Sequence, residues 1–138
     1  MTLEGKTILL VEDQLGVRKR VSEMLHRQGG VVLEAHSGSD AIRASQTHAG
    51  PIDLLVADCE LPGMSGFELA EDLRVHRRDL PVLLMSDSTD ALAAAHIRGF
   101  PFIRKPFTPA ALASVIERTL LSSEQQRDQP LKTETAGD

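Results

Sequence analysis

Short apolar runs alternate with longer amphipathic stretches along the chain. Thr7–Val11 (TILLV) is apolar and stops abruptly at Glu12-Asp13, the pattern of a strand buried on both faces. Val17, Val21 and Leu25 then recur at helical spacing, and Gly29-Gly30 ends that helix. Val31 to Ala35 reads as a second strand and Ser39 to Thr47 as a short helix with Ala41, Ile42 and Ser45 on one side. After Gly50-Pro51, Ile52 to Ala57 predicts a third strand that ends at Asp58. Leu61 to Gly66 is a turn-rich loop, and Phe67, Ala70 and Leu73 mark a third helix. Pro81 opens a fourth strand, Val82 to Met85, followed by an Ala-rich helix over Thr89 to Arg98. Phe100 to Ile103 predicts the fifth strand. Thr108-Pro109 then starts a last helix with a capping hydroxyl and a proline at the first helical position. Leu112, Val115, Ile116 and Leu120 give that helix its core face.

Five strands separated by helices predict an α/β fold, a doubly wound parallel sheet with helices on both faces. In such sheets ligands bind at the carboxyl ends of the strands, where the strand order reverses. Residues 1–121 fit one domain. Residues 122–138 are polar apart from Leu131 and read as a disordered tail or linker. The net charge of −5 argues against broad nucleic-acid binding, which rests on Lys and Arg. Cys59 is the only cysteine, so an internal disulfide and a Cys-rich zinc site are excluded. No apolar run reaches the roughly 20 residues that span a bilayer. The N-terminus lacks a signal peptide's apolar segment, so a cytoplasmic protein is expected.

Candidate chemistry gathers at the strand ends. Glu12-Asp13 closes the first strand and Asp58 the third. If those strands are neighbours across the reversal, three carboxylates converge, and each like-charged pair repels by roughly 1 to 4 kcal/mol. A hard divalent cation resolves that repulsion, and oxygen ligands suit Mg²⁺. Ser86 ends the fourth strand and Lys105 follows the fifth. Alone, such a serine is ordinarily a turn or cap residue and such a lysine a surface charge. Together with the acids they suit a metal-bound phosphoryl group, whose charge the cation and ammonium offset and one of whose oxygens accepts a hydrogen bond from the hydroxyl.

The segments ILLVEDQ (8–14), DLLVADCELPGMSGFEL (53–69), PVLLMSD (81–87) and FIRKPF (102–107) resemble the receiver domain of bacterial two-component response regulators. Their order and spacing cover Lys6 to Leu121, in the manner of a single-domain, chemotaxis-regulator-like receiver. The resemblance implies a flavodoxin-like sheet of strand order 2-1-3-4-5. It makes Asp58 the phosphoryl acceptor. It implies that Glu12, Asp13, Asp58 and the main-chain carbonyl of Glu60 bind Mg²⁺, that Ser86 and Lys105 contact the phosphoryl oxygens, and that Lys105-Pro106 is cis. Phe102 takes the aromatic switch position, with a core residue of the fifth strand as the competing reading. A histidine kinase or histidine phosphotransfer protein would be the donor. A downstream protein would bind the face formed by the fourth helix, fifth strand and fifth helix, with no direct nucleic acid or membrane partner.

Several positions depart from the pattern or modulate it. Asp87 stands where the resemblance leads one to expect a small residue. Its carboxylate is expected to repel a phosphoryl group or capture Lys105, or else to face solvent or cap the next helix. Glu60 and Ser88 flank the path of the hydrolytic water and are expected to tune the reset. Cys59 reads as a packed thiol rather than a redox sensor. His76 lies in a charged stretch, Arg74 to Asp79, that reads as a solvated helix end. Pro101 removes a donor just before Phe102, so pairing of the fifth strand should be imperfect. Two other functions compete: an aspartyl-phosphate hydrolase of the haloacid-dehalogenase type, for which Glu60 poorly imitates the second acid, and a receiver-like module that is never phosphorylated. The expected activity is self-directed phosphotransfer and autodephosphorylation only. A stand-alone regulator acting by protein contact fits best, and the receiver of a hybrid kinase is the alternative.

Overall fold

Strand pairing follows the predicted reversal. In the computed structural model, which describes residues 2–128, β1 (Thr7–Val11) pairs in parallel with β2 (Val31–Ala35) on one side and β3 (Leu54–Asp58) on the other. β3 then pairs with β4 (Val82–Ser86) and β4 with β5 (Phe102–Arg104), giving the order β2-β1-β3-β4-β5. Helices α1 (Leu15–Arg27), α2 (Gly38–Thr47), α3 (Gly66–His76), α4 (Thr89–Ile97) and α5 (Pro109–Asp128) fill the crossovers. The chain therefore has the flavodoxin-like doubly wound fold.

Side chains alternate across the pleat and divide the core in two. Leu9, Val11, Leu55, Ala57, Val82 and Leu84 pack on the side of α2, α3 and α4, against Ala41, Leu69, Leu73 and Ala95. Ile8, Leu10, Leu54, Val56, Leu83 and Met85 pack on the other side, against Val21 and Leu25 of α1 and Leu112 and Ile116 of α5. Every residue of β3 and β4 is buried, which is why both read as unbroken apolar runs. Four helices carry side-chain caps: at α2 Ser37 accepts from Asp40 N, at α3 Ser65 forms a reciprocal capping box with Glu68, at α4 Ser88 accepts from Ala91 N, and α5 has its own. Thr108 Oγ1 accepts from Ala111 N, as its sequence position predicts.

The structure corrects the sequence reading in five places, the first being the third strand, which starts at Leu54 rather than Ile52. The fifth strand starts at Phe102 rather than Phe100, because Pro101 has no N–H; its carbonyl accepts from Leu84 N at 3.0 Å. The loop after Asp58 holds a two-residue antiparallel pair, Glu60–Leu61 with Met64–Ser65, turned at Gly63 with φ of 81°. The stretch Arg74 to Asp79 is not simply solvated. Arg74 donates twice to the Leu80 carbonyl, and Arg77 donates to Ser45 Oγ and to the carbonyls of Ser45, His48 and Gly50 at 2.8–3.1 Å. Finally, α5 runs on through Asp128, so residues 122–128 are helical rather than a disordered tail. No Gly or Pro interrupts them, Glu, Gln and Arg favour helix, and extending a helix already anchored at Leu112 and Ile116 needs no new nucleus. The rest of the predicted tail, 129–138, lies outside the described residues.

Candidate functional site

The register of β1 against β3 creates the site. Val11 pairs with Ala57, so Glu12 and Asp58 fall side by side one residue further on, at the carboxyl edge of the sheet. Glu12 and Asp58 are buried and Asp13 is exposed, and one oxygen from each lies within 4.8 Å of the others. Lys105, delivered by the loop after β5, donates to Asp58 Oδ2 at 2.8 Å and to Glu12 Oε1 at 3.1 Å. Its main-chain N–H donates to the Ser86 carbonyl at 2.9 Å, and the peptide bond to Pro106 is cis. Ser86 is fully buried. Its hydroxyl donates to the Glu60 carboxylate at 3.0 and 3.3 Å and accepts from Ser88 N at 2.9 Å. Glu60 N donates to Asp58 Oδ1 at 3.3 Å.

The electrostatics reflect this crowding. Burial pushes the Glu12 carboxyl above its ordinary value. The Gln14 N–H bonded to it opposes that, the Asp58 charge adds to it, and Lys105 opposes it again. Burial alone would lower the Lys105 ammonium, but the bond and charge of Asp58, then those of Glu12, raise it. The Cys59 thiol is pushed up to about 12 by burial and then by Glu60 and Asp58, so it stays protonated near neutrality as a packed group. One ammonium against three carboxylates leaves the cluster net negative, and every donor in it is a carboxylate oxygen. Such a set fits a hard divalent cation such as Mg²⁺.

The structure brings Glu12, Asp13, Asp58, Glu60, Ser86 and Lys105 together. Asp87 stands on the rim beside Lys105 without bonding to the cluster: it is exposed, only its carbonyl is bonded, by Arg104, and Lys105 is held by Glu12 and Asp58 instead. The cap of α4 is Ser88, not Asp87. Phe102 is 37% exposed, with its ring edge-on to His96 at 6.2 Å, so it is not the core residue of β5; Ile103 is. Three contributors escape a sequence reading. Arg18 donates to the Glu12 carbonyl at 2.8 Å while paired with Glu34, which also accepts from the buried Ser22. Gly66 packs so closely under the Asp58 carbonyl that any Cβ there would collide with it, a reason for glycine that position alone does not reveal. The Glu60–Ser86 bond joins residues 26 apart in sequence.

The family model of the response regulator receiver domain matches residues 8–117. The chain belongs to the response regulator receiver family. It is 32% identical over 117 residues to the sensor kinase CckA of Brucella abortus, covering 83% of this chain and 12% of that protein. It is 31% identical over 128 residues to the phosphate regulon transcriptional regulatory protein PhoB of Pseudomonas aeruginosa, covering 83% of this chain and 53% of PhoB. The chain thus spans a small part of the kinase and about half of the transcriptional regulator. Among solved structures, the receiver domain of the hybrid histidine kinase CckA superposes with a TM-score of 0.69 at 32% identity, covering 83% of this chain and 98% of that one. The chemotaxis response regulator CheY4 of Vibrio cholerae superposes with a TM-score of 0.74 at 27% identity, again covering 83% and 98%. Receiver domains are signalling domains of two-component systems: they take phosphoryl groups from histidine kinases, bind Mg²⁺ at an acidic pocket and act on downstream partners. Among the described residues, no helix is long and apolar enough to cross a membrane.

Proposed function

We propose that this receiver accepts a phosphoryl group on Asp58 from the phosphohistidine of a kinase or phosphotransfer protein. The observation that carries the reading is Asp58 at the end of a fully buried strand, bonded to Lys105 and flanked by Glu12 and Asp13. A carboxylate oxygen of Asp58 forms the bond to phosphorus as the phosphorus–nitrogen bond of the donor breaks, with the electron pair leaving on the imidazole. Glu12, Asp13, Asp58 and the Glu60 carbonyl would hold Mg²⁺, which when bound offsets charge on the transferring oxygens. Lys105 supplies a second positive charge on the same oxygens, and the Ser86 hydroxyl donates a hydrogen bond to one of them.

The drawn-in Ser86 makes room for Phe102, whose half-exposed ring turns inward and changes the face formed by α4, β5 and α5. A downstream protein reads that change as a shift between two populated states. Hydrolysis of the acyl phosphate resets the domain, so its chemistry is self-directed. Glu60, Asp87 and Ser88 flank the approach and tune loading or reset. Asp87 acts as exposed negative charge on the rim, and Asp87→Gly is expected to speed loading by about two- to threefold at low salt, an effect that salt erases. Equal rates for the two proteins at low salt would remove Asp87 from the set.

The reading is tested by incubation with Mg²⁺ and acetyl phosphate, followed by intact mass. A single phosphate adduct is expected on the wild type and none on Asp58→Asn. Absence of any adduct, with a phosphohistidine donor as well, would overturn the reading in favour of a module that works without phosphorylation.

A further inference from the structure

One charged side chain reaches into the site without helping to build the acid cluster. Glu60 is exposed, yet its carboxylate accepts the Ser86 hydroxyl at 3.0 and 3.3 Å. The Ser86 oxygen meanwhile accepts from Ser88 N at 2.9 Å. A serine hydroxyl has a single proton, so its one donation is committed to Glu60. On its other side, Glu60 N–H donates to Asp58 Oδ1 at 3.3 Å, so one residue touches both the acceptor carboxylate and the hydroxyl beyond it.

Resting on the reading of Asp58 as phosphoryl acceptor, we propose that the Glu60 carboxylate is a built-in competitor for the Ser86 hydroxyl. It occupies the donor that a phosphoryl group on Asp58 requires, and it places like charge beside the path of entry. A carboxylate and a phosphoryl group are both anionic acceptors, and a single proton cannot serve both. Loading therefore proceeds through the fraction of molecules in which Glu60 has swung out to solvent, a movement its exposed position permits. Glu60 is thus a positioning residue that sets how readily Ser86 becomes available.

The test follows the Asp58 adduct over time, with Mg²⁺ and acetyl phosphate, in the full chain. In that reaction an Asp58 oxygen bonds to phosphorus, the bond from phosphorus to the acetyl oxygen breaks, and acetate leaves with the electron pair. The proteins compared are wild type, Glu60→Ala, Glu60→Gln, Ser86→Ala and the Glu60→Ala/Ser86→Ala pair, each checked for an unchanged circular dichroism spectrum. Glu60→Ala is expected to load about tenfold faster than wild type, and Glu60→Gln, which keeps an acceptor but loses the charge, to fall between them. In the Ser86→Ala background the same Glu60→Ala change is expected to give less than about threefold, because the contested proton is gone and only charge remains.

Equal acceleration in both backgrounds overturns the proposal, since Glu60 would then act by charge alone. Unchanged or slower loading in Glu60→Ala overturns it too, and in both cases the Asp58 reading stands. No adduct in any of the five proteins, even with a phosphohistidine donor, overturns the Asp58 reading and the competitor with it.

Discussion

Lys105 is where the site's balance of charge is decided. Its ammonium is the partner of both Asp58 and Glu12, and those contacts hold it above its ordinary value of 10.5 despite burial. A group whose pKa rises on folding adds stability that is fully present below its unfolded value and is lost as pH climbs through the folded one. The urea midpoint of wild type should therefore exceed that of Lys105→Met by a constant amount up to about pH 10, with the gap closing above it. A gap that stays fixed through pH 12 would show that Lys105 contributes packing rather than charge. Gly66 is the complementary case, where space rather than charge matters. Gly66→Ala must push the Asp58 carbonyl aside, and it should cost about 1–3 kcal/mol in chemical denaturation. Glu12, Asp58, Ser86 and Lys105 were legible because each sits where an apolar run stops. Arg18 was not, because its role depends on Glu34, sixteen residues away on a neighbouring strand.

At the scale of elements, periodicity identified every strand and helix of the main sheet, and the departures fell at boundaries. Polarity alone misread residues 122–128, because an exposed extension of an anchored helix and a disordered tail have the same composition. Amide exchange separates the two segments of α5: residues 122–126, almost all exposed, should exchange at least tenfold faster than 112–120, which carry the buried Leu112 and Ile116. Uniform protection along α5 would mean that something covers its far end. The Ala-rich α4 had the weakest pattern, with only Leu92 and Ala95 buried. Its far end is held by a stack that no period encodes: Arg98 lies 4.5 Å over Phe67, Phe67 meets Phe100 edge-on at 5.9 Å, and Arg74 lies 5.3 Å over Phe100. Arg98→Ala should lower stability by about 0.5–1 kcal/mol and loosen α4 in exchange experiments.

For the molecule as a whole, the two core layers and the parallel order follow from alternating apolar runs and right-handed crossovers, so the fold was readable before any side chain was placed. The net negative cluster predicts that folding stability depends on divalent cations. At about a hundred times the dissociation constant, Mg²⁺ should add about 2.7 kcal/mol to wild type. Asp13→Asn takes one exposed negative charge out of that cluster and should abolish most of that gain, while the metal-free melting temperature rises, because a repelling charge has gone. An unchanged Mg²⁺ response in Asp13→Asn would place the ion elsewhere.

The parallel sheet also sorts the molecule into two rims. Asp58, Ser86 and Lys105 occupy the rim at the strand ends, whereas Lys6, Asp53, Leu120 and Ser123 line one hollow at the strand beginnings. The first strand therefore sets out, and the last helix returns, on the side away from the chemistry. A tether, label or fused protein attached at either of those points leaves the rim that carries Asp58 uncovered.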